Sequence, residues 1–498
     1  MTLVTAHRGD SSRLRENTIA AINSAITHDA DIIEIDIRKT SDGQVILLHD
    51  QTLERLWGVP LKASELTLEQ IREIGFGEFR IPTLKEAISI FGACDSLLMI
   101  DMDDPAIASD AFQVVSESSL DSEKVLWCGN LDAMRIIRGL STQARIWLPW
   151  NENKPLNLQL VSELTPEFIN SHYSFWNRNN VEEVHQLGLK ASAWTIDDAP
   201  TMMWAKSIGI DSVTTNKLEL FHNIELPAEP SGSLNLELAS EVAVAIGSWA
   251  IQVCKWMAPG TVNTKVNPAD LVTEVDLFIE SHAREVILAN FPTHNIVGEE
   301  FGGSFDEDKP TWYIDPVDGT TNFANRTPWS SMSLALAIGR VPLVAVTIDP
   351  WREKLFHAVK GGGATVNGSP MKSAYSNEIP SETALAGKVL LTELAGSAPW
   401  HGMFALIEAL NNAFCTTRIM GAGTLTLTAV SANHGIGAIV HRFSPIDHLA
   451  AALIADESGC VVYNEKGEHD LFPTSGGLMI AHPHAAPQLY TLWTDAIS

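Results

Sequence analysis

The sequence has 498 residues, more than one hydrophobic core usually supports, so its length predicts two domains, with three as the upper limit. Hydrophobic residues make up 45% and charged residues 19%, as in ordinary globular proteins, and no stretch approaches the roughly 18 unbroken apolar residues of a membrane span. The formal net charge of −28 argues against nucleic acid and anionic membrane surfaces as partners, because most of the protein would repel them.

The excess of acidic residues also bears on the chemistry. If the substrate is an anion as well, something local must reverse the field, and bound divalent cations usually do so. Most of the 61 acidic residues need only keep the protein in solution. The first residues lack a basic start and a long apolar stretch, and the five cysteines are scattered without metal-ligand spacing. The sequence therefore predicts a cytoplasmic protein with reduced thiols.

The first half of the sequence alternates short apolar runs with helical patterns. Eight of these runs are typical of strands: LVTA, DIIEIDI, LLMIDMD, KVLWCG, RIWLPW, FINSHY, KASAWTI and SVTTN. Strands that alternate with helices in this way predict a parallel α/β barrel. A ninth run, QVILLHD, follows IDIRKTSDG across an Asp-Gly turn, so it predicts the return arm of a hairpin and not a barrel strand.

Polar residues recur where the predicted strands end, which is where such a barrel carries its active site. They are His7, Arg8, Glu34, Asp36, His49 and Asp101. Glu34 and Asp36 are two apart on one strand and face the same side, so burying both is costly unless a cation pairs with them. Two histidines, a cation-binding carboxylate cluster and an arginine form a set that can cleave a phosphodiester. A single histidine near a strand end is more often structural, but several such residues together favour a site.

Five segments of the first half, spread in order over residues 3–217, carry a family resemblance. AHRG, ENTIAAINSAI, ADIIEIDIRKTSDGQVILLHD, ASAWTIDD and GIDSVTTN resemble the glycerophosphodiester phosphodiesterase family. The resemblance implies a TIM (β/α)8 barrel in which His7 and His49 are the acid and base and Arg8 contacts the phosphate. It also implies that Glu34 and Asp36 bind one divalent cation, either Mg²⁺ or Ca²⁺.

The family also carries a third acidic ligand in a Glu-x-Lys element, and here the sequence departs from it. LLMIDMDD offers Asp101 in place of the glutamate and Asp103 in place of the lysine. Asp101 can still bind a metal, whereas the loss of the lysine removes a positive charge and puts a negative one near the phosphate. An active phosphodiesterase is the first interpretation, because both histidines and both acids of the EID pair remain. The alternative is a barrel that senses a ligand or regulates the rest of the chain.

A change of composition near residue 230 predicts a domain boundary. Pro227, Pro230, Ser231, Gly232 and Ser233 lie within seven residues, which is typical of a linker. The following segment, LELASEVAVAIGSWAIQVCKWM, has the spacing of a long amphipathic helix. The sequence thus predicts a first domain over 1–228, a linker over 229–235 and a second domain over 236–498.

The second half contains the segment TWYIDPVDGTTNF. It predicts a strand ending at Asp315, a tight turn, and then Gly319 and Thr320 leading into a helical turn. Asp315 and Asp318 could share or bridge cations, beside free N–H groups that could hold an anion. Taken alone, the segment could equally be a solvated surface turn.

Other acids at the ends of predicted elements argue against a mere surface turn. NPADLVTEVDLFIESHA places Asp270, Glu274 and Asp276 around a helix start, and THNIVGEEFGG ends an apolar run with Glu299 and Glu300. Far downstream, RFSPIDHLAAALIADESGC begins a helix with Asp447 in its first turn. Acids that recur beside glycine or small residues predict a site for several cations.

These segments resemble the inositol monophosphatase family over residues 236–495. The resemblance implies an αβαβα layered fold, two or three Mg²⁺ ions and, as in many relatives, a homodimer. It implies that the metal ligands are Glu299, Asp315, the Val317 carbonyl, Asp318 and Asp447. Asp276 and Thr320 would orient the attacking water, and the Gly319 and Thr320 amides would hold the phosphate. MGAGTLTL resembles the family's substrate-contacting segment and points to Gly423 and Thr424.

One departure from this second family concerns the pocket. Ile446 stands where the family usually has tryptophan, and Ala451 where it often has glycine. Neither change removes a metal ligand, so the chemistry should survive, but the leaving group becomes uncertain.

The fusion itself predicts a pathway for small-molecule phosphoesters. A phosphodiesterase that frees a monoester, joined to a monoesterase, would hold the second site near the first product. The favoured substrate is glycerophosphoinositol, cleaved to inositol phosphate and then to inositol. The alternatives are that only the second domain is catalytic, or that it acts on another monoester such as glycerol phosphate or histidinol phosphate.

Overall fold

The computed structural model describes residues 2–150, 155–224, 234–265, 271–372, 384–396 and 398–498. The chain divides into two compact units, Met1–Leu226 and Pro227–Ser498. Most of the predicted linker at 229–235, and Asp270 in the second unit, lie outside the described residues.

The first unit contains a closed barrel of eight parallel strands, as the sequence predicts. The strands are Leu3–Ala6, Ile32–Lys39, Leu97–Met102, Val125–Gly129, Arg145–Pro149, Phe168–His172, Lys190–Trp194 and Ser212–Thr215. Leu3 lies opposite Ser212 and Thr5 lies opposite Ile32, so the first strand pairs with the last strand and with the second. This double pairing closes the barrel and brings the carboxyl ends of all eight strands to one rim.

Helices and short 3-10 turns connect the barrel strands. The helices are Ile19–Thr27, Leu84–Phe91, Ala108–Ser116, Leu131–Leu140, Leu158–Leu164, Arg178–Gln186, Ala199–Ile208 and Leu218–Asn223. Most begin at a polar residue whose side chain accepts a backbone N–H of the first turn, as Thr18, Asn130 and Asp198 do. The 3-10 turns are Pro105–Ile107, Ser122–Lys124 and Tyr173–Phe175.

The predicted hairpin is confirmed. Val45–Leu47 runs antiparallel to the second barrel strand, with Ile37 opposite Leu47. Short elements follow: Thr52–Leu53, Glu54–Trp57, Val59–Lys62, Ala63–Glu65, Leu68–Arg72 and Gly77–Phe79. Buried Ile46, Leu53, Ile71 and Ile81 form a small core of their own. The hairpin thus carries His49 back to the end of the second strand, where Leu48 N–H bonds the Asp36 carbonyl.

The second unit stacks helices and two sheets in five layers. The first sheet has seven strands: Asn295–Gly298, Pro310–Asp318, Ser331–Ile338, Val341–Asp349, Lys354–Val359, Gly363–Val366 and Ser369–Met371. The second sheet has five strands, in the spatial order Thr416–Ile419, Val389–Thr392, Gly437–Val440, Leu478–Ala481 and Val461–Asn464. Val262–Thr264 and Leu271–Thr273 form a separate antiparallel pair.

Helices form the other three layers of this unit. Leu236–Trp256 and Glu274–Asn290 cover the outer face of the seven-stranded sheet, Gly423–Ser431 and Pro445–Glu457 lie between the sheets, and Met403–Asn412 and Ala486–Ile497 cover the five-stranded sheet. The αβαβα architecture that the resemblance implies is therefore confirmed. The central layer is rich in alanine, Ala450, Ala451 and Ala452 being fully buried, because two sheets press on it from both sides.

Helix Leu236–Trp256 is long and apolar enough to cross a membrane by length and composition alone. Its apolar face, which includes Val242, Ile246 and Trp249, is buried within the unit, and Gly247 packs closely against Val346 of the seven-stranded sheet. These contacts are those of a core helix.

Candidate active sites

The barrel has a cavity of about 950 Å³ at the strand ends. All six residues that the sequence selects in this half line it: His7, Arg8, Glu34, Asp36, His49 and Asp101. The first strand positions His7 and Arg8, the second positions Glu34 and Asp36, the hairpin positions His49, and the third strand positions Asp101. Residues up to 94 positions apart in sequence therefore share one site.

Three carboxylates at this site repel one another. Glu34 is 4% exposed, and burial, followed by the charges of Asp36 and Asp101, raises its pKa well above the usual range. Burial, Asp36 and Asp103 raise the pKa of Asp101 to about 7. A bound cation would offset the repulsion that raises the pKa of these carboxyls. Carboxylate oxygens are also the ligands that Mg²⁺ and Ca²⁺ prefer. The donor set thus fits the divalent cation that the resemblance implies.

Arg8 is bound to this carboxylate cluster. Its backbone N–H donates to Glu34 Oε2 at 2.7 Å, its Nε lies 3.2 Å from Asp36 Oδ2, and its Nη1 donates to Glu16 Oε1 at 2.9 Å. Arg8 has φ 59° and Gly9 has φ 78°, and a Cβ on Gly9 would lie 2.7 Å from the Ala21 backbone. The turn in AHRG therefore needs its glycine. A role of Arg8 on the phosphate stays a prediction.

A neutral amide fixes the proton of His7. The Nδ1 atom lies 2.9 Å from Asn216 Oδ1, and Asn216 Nδ2 donates to Asp197 Oδ2 at 2.6 Å, which orients the amide oxygen towards the imidazole. A carbonyl oxygen only accepts, so Nδ1 carries the hydrogen and Nε2 has the free lone pair. Burial, followed by the charge of Arg8, lowers the pKa of His7. Neutral His7 is therefore equipped to act as a base.

A carboxylate holds the second histidine. His49 Nδ1 donates to Asp50 Oδ1 at 2.7 Å, and the hydrogen bond from Arg55, with that from His49, lowers the pKa of Asp50 to about 2. Asp50 is thus an anion that can stabilise a charged imidazolium. One histidine with a neutral partner and one with an anionic partner is an arrangement that suits an acid and base pair.

Asp103, which stands in place of the lysine of the phosphodiesterase family, forms an ion pair with an arginine. Its side chain is 67% exposed, and Oδ2 accepts a hydrogen bond from Arg38 Nη2 at 2.8 Å. The negative charge that the sequence analysis expects near the phosphate is therefore paired with an arginine. That pairing reduces the electrostatic cost of the substitution.

In the second unit, the strand Pro310–Asp318 carries Asp315 and Asp318 at its end. Its pairing with the next strand shifts register between Asp315 and Asp318, and Gly319 follows with φ 80°. A Cβ on Gly319 would lie 2.9 Å from both the Ala422 Cβ and the Gly421 carbonyl oxygen, so only glycine fits. The short helix Thr320–Ala324 then begins, with the Gly319 and Thr320 amides at its start.

The acids of this second site raise one another's pKa. Burial, followed by Glu299, Asp318 and Asp447, raises the pKa of Asp315 well above the usual range, and burial with Asp447 does the same for Asp318. Burial and Glu299 raise the pKa of Asp447 to about 7. The four acids that the resemblance selects thus act on one another, and their oxygens suit Mg²⁺.

The water-orienting pair that the resemblance implies is in contact. Thr320 Oγ1 lies 3.3 Å from Asp276 Oδ1 and 2.9 Å from the Val317 carbonyl oxygen. Asp276 Oδ2 accepts the Thr273 backbone N–H at 2.9 Å and the Thr273 hydroxyl, which holds the carboxylate in place. Burial raises the pKa of Asp276.

Lys265 is a member of this site that the sequence analysis missed. Its Nζ lies 2.9 Å from Glu299 Oε1 and 2.5 Å from Glu300 Oε1. In the part of the chain that the structure describes, no three His, Cys, Asp or Glu side chains are arranged to enclose a metal ion. Lys265 therefore supplies a positive charge beside Glu299, which the resemblance implies as a metal ligand.

The segment MGAGTLTL joins two of the acids. Thr424 N–H donates to Asp318 Oδ2 at 2.6 Å and Thr424 Oγ1 donates to the Asp447 carbonyl at 2.7 Å. Glu393, another residue that the sequence analysis missed, accepts the Gly421 N–H at 2.8 Å and so holds the segment. A Cβ on Gly423 would lie 2.8 Å from His448 Nε2, so the glycine is needed for close packing.

The sequence gives little indication that Asn216, Asp197, Glu393 and Lys265 belong to these sites. Asn216 and Asp197 stand in GIDSVTTN and ASAWTIDD, two segments of the family resemblance, but nothing local shows that they act through His7. Glu393 and Lys265 lie outside the sequence motifs described above. Their roles come from contacts with residues 28 to 35 positions away.

Comparison with known proteins assigns both halves. The family model described as Inositol monophosphatase family matches residues 235–497, and the model described as Glycerophosphoryl diester phosphodiesterase family matches residues 7–220. Inositol monophosphatase 1 of Solanum lycopersicum is 33% identical over 224 residues, which are 43% of this chain and 79% of that protein. Nus factor SuhB of Escherichia coli (strain K12) is 31% identical over 232 residues, which are 46% of this chain and 84% of that protein.

Among solved structures, one similar chain is a phosphodiesterase. It is a phosphodiesterase of Oleispira antarctica in complex with the product sn-glycerol-3-phosphate, 21% identical, with a TM-score of 0.42 over 45% of this chain and 96% of that one. The match of a family model to more than half of the sequence shows that the chain belongs to the inositol monophosphatase family, with a glycerophosphodiester phosphodiesterase domain in its first half, and both are families of phosphoric ester hydrolases.

Proposed function

We propose that the protein is a bifunctional, metal-dependent phosphohydrolase. The barrel hydrolyses a glycerophosphodiester, best represented by glycerophosphoinositol, and the second unit hydrolyses the inositol phosphate so formed to inositol and phosphate. The observation that carries the proposal is that one chain has two separate sets of carboxylates, each beside residues suited to phosphate ester chemistry.

In the barrel, Glu34, Asp36 and Asp101 would hold one divalent cation, which supplies positive charge to the phosphate when bound. Arg8 is the residue of this chain that can add a second positive contact to a phosphate oxygen. His7 Nε2 takes the proton of the attacking oxygen, since its Nδ1 hydrogen is engaged by Asn216. His49 gives a proton to the departing alcohol, and Asp50 stabilises the imidazolium before the transfer.

In the second unit, Glu299, Asp315, Asp318, Asp447 and the Val317 carbonyl would hold two or three Mg²⁺ ions, which neutralise the phosphate and favour deprotonation of the attacking water. Asp276 and Thr320 orient that water, because the carboxylate and the hydroxyl are already joined. The amides of Gly319 and Thr320 contact the phosphate oxygens, and Gly423 and Thr424 border the substrate.

Phosphorus NMR of the full chain with glycerophosphoinositol and Mg²⁺ tests the proposal. We expect the diester signal to be replaced by inorganic phosphate. Asp315→Asn should stop the reaction at the monoester, and His7→Ala should leave the diester intact. An unchanged diester with the wild-type chain contradicts the barrel activity.

The same spectra separate the remaining alternatives. If Asp315→Asn accumulates glycerol phosphate, the barrel cleaves the other P–O bond and the second unit acts on glycerol phosphate. If inositol phosphate or histidinol phosphate is hydrolysed but no diester is, only the second unit is catalytic and the barrel senses a ligand. Binding of glycerophosphoinositol to an inactive barrel would then identify the sensed compound.

We also propose that the second unit forms a homodimer and that the protein is cytoplasmic. The family resemblance supports the first and the composition supports the second. Light scattering coupled to gel filtration gives the mass of the assembly, and a mass equal to one chain contradicts the dimer.

A further inference from the structure

Four side chains of the barrel unit join the segment that carries Arg8 to the segment that carries His49. Arg8 lies on the loop after the first barrel strand, and His49 follows the hairpin arm Val45–Leu47. We call the joining set the clasp, and it consists of Arg15, Glu16, Arg55 and Trp57. None of the four takes part in the chemistry proposed above, so their contacts need a separate explanation.

Glu16 is the centre of the clasp. Its Oε1 accepts hydrogen bonds from Arg8 Nη1 at 2.9 Å and from Arg55 Nη2 at 2.6 Å, and its Oε2 accepts one from Arg55 Nη1 at 3.1 Å. The Glu16 side chain is 14% exposed, so water screens these ion pairs less than it screens pairs on the surface. Burial acts to raise the pKa of Glu16, but the hydrogen bond from Arg55 and the charge of Arg8 lower it. The carboxylate is therefore an anion that links two arginines.

The other side of the Arg55 guanidinium orients the partner of His49. Arg55 Nε donates to Asp50 Oδ2 at 2.5 Å, while Asp50 Oδ1 accepts the hydrogen of His49 Nδ1 at 2.7 Å. Each oxygen of the Asp50 carboxylate thus has its own partner, and the carboxylate cannot rotate without breaking one of these bonds. Because Asp50 holds Nδ1, the direction in which His49 presents Nε2 depends on the contact with Arg55.

A second contact joins the same two segments. The guanidinium carbon of Arg15 lies 4.4 Å from the centre of the Trp57 ring, which is a cation–π interaction. Arg15 directly precedes Glu16 and Trp57 is two residues after Arg55, so the two links lie next to each other along both segments. Two neighbouring links restrict a rotation of one segment against the other that a single link would allow.

We propose that Glu16 and Arg55 are positioning residues that set the place of the His49 imidazole relative to the Arg8 guanidinium. The inference rests on the proposed phosphodiesterase activity, with His49 as the proton donor, and deepens it. A proton donor and a phosphate contact must be aligned closely, since a misplacement of about 1 Å can cost about a hundredfold in rate. The clasp maintains this alignment although neither of its two central residues touches the substrate.

The test compares two diesters whose leaving groups differ, in chains that also carry Asp315→Asn to silence the second unit. The alcohol that leaves glycerophosphoinositol needs a proton from His49, whereas 4-nitrophenolate leaves as a stable anion. For Arg55→Leu we expect kcat for glycerophosphoinositol to fall by about tenfold or more, and kcat for bis(4-nitrophenyl) phosphate by less than about threefold. Glu16→Gln should show the same selective loss, and it replaces Arg55→Leu if the leucine prevents folding.

Arg80→Leu is the matched control. The Arg80 side chain is 38% exposed, against 48% for Arg55, and pairs with Glu86 at 2.9 Å in the same unit, away from the clasp. Both rates should stay at the values of the parent chain. An equal loss for both diesters in Arg55→Leu, or no loss for either, overturns the proposal.

A second measurement separates this inference from the proposed function. If the wild-type chain does not hydrolyse glycerophosphoinositol, the phosphodiesterase proposal fails, and crystal structures of the wild type and Arg55→Leu decide on the positioning. A displacement of the His49 ring relative to Arg8 by about 1 Å or more supports it. Unchanged positions of both side chains overturn it.

Discussion

At the scale of single residues, the partner of each histidine decides what it can do. His7 faces the Asn216 amide and His49 faces the Asp50 carboxylate, so two similar side chains have hydrogen-bond partners of different charge. The base must be neutral to act, and a neutral partner does not favour the charged form. This difference makes the pH dependence of the barrel a direct probe of Asn216.

Replacing Asn216 with aspartate should raise the pKa of His7, because a carboxylate stabilises the imidazolium. The acidic limb of kcat/KM for diester hydrolysis should then move to higher pH by about one unit or more, since His7 stays protonated longer as pH rises. A pH–rate profile measures the shift. Phosphatase activity on inositol phosphate is the internal control and should keep its profile, and an unmoved acidic limb contradicts the assigned role of Asn216.

The raised pKa values of Asp315, Asp318 and Asp447 predict that Mg²⁺ competes with protons. The Asp447 carboxyl, with a pKa of about 7, must lose its proton before it binds a cation, so the Mg²⁺ requirement should increase as pH falls through about 7. The concentration for half-maximal phosphatase activity should rise up to about tenfold per pH unit for each proton released. Mg²⁺ titrations at several pH values test this, and a constant requirement contradicts it.

At the scale of elements, helix Glu274–Asn290 positions the loop that carries Glu299, a proposed metal ligand. Glu280 is fully buried on this helix, and its carboxylate accepts the backbone N–H groups of Glu300 at 2.7 Å and Phe301 at 3.2 Å. Arg284 pairs with the same carboxylate at 2.8 Å. Glu280 thus stabilises the turn that contains Glu299.

Glu280→Ala should therefore weaken both folding and metal use. Removing one partner of a buried ion pair costs about 3–5 kcal/mol in the free energy of unfolding, measured by urea titration of the second unit. The Mg²⁺ concentration for half-maximal phosphatase activity should rise, because Glu299 loses its support. Glu241→Ala, an exposed acid on helix Leu236–Trp256, is the control and should change neither quantity. Wild-type Mg²⁺ dependence in Glu280→Ala would contradict the positioning role.

The secondary-structure elements of the barrel were the most predictable feature of this protein. All eight barrel strands and the hairpin arm appear where the apolar runs predict them, because strand patterning is local and turn residues such as Asp42 and Gly43 mark its ends. The contacts of Glu280 were not predictable in this way. The sequence around a buried glutamate on a helix does not show which loop will donate backbone N–H groups to it.

At the scale of the whole molecule, joining two sites on one chain should change the kinetics of the sequence of reactions. A monoester released by one unit meets the tethered second site at a raised effective concentration. With glycerophosphoinositol, the wild-type chain should release phosphate with a shorter lag than an equimolar mixture of His7→Ala and Asp315→Asn chains. The mixture contains the same active sites on separate molecules.

Stopped time courses of phosphate release measure this lag. Equal lags for the tethered and mixed systems would show that the intermediate escapes fully before its second hydrolysis. The two single variants, assayed alone, check that each retains the activity of its intact unit.

The sequence by itself determined the two families, the two architectures and most of the chemical groups. Motifs such as AHRG and DPVDGTTN are short, and their glycines adopt the positive φ that a tight turn needs, 78° at Gly9 and 80° at Gly319. The tertiary structure alone decided which residues complete each site: Asn216 beside His7, Arg38 on Asp103 and Lys265 on Glu299. Folding brings such residues together from distant parts of each half, and the effects of burial and charge pairing on a side chain exist only once those contacts form.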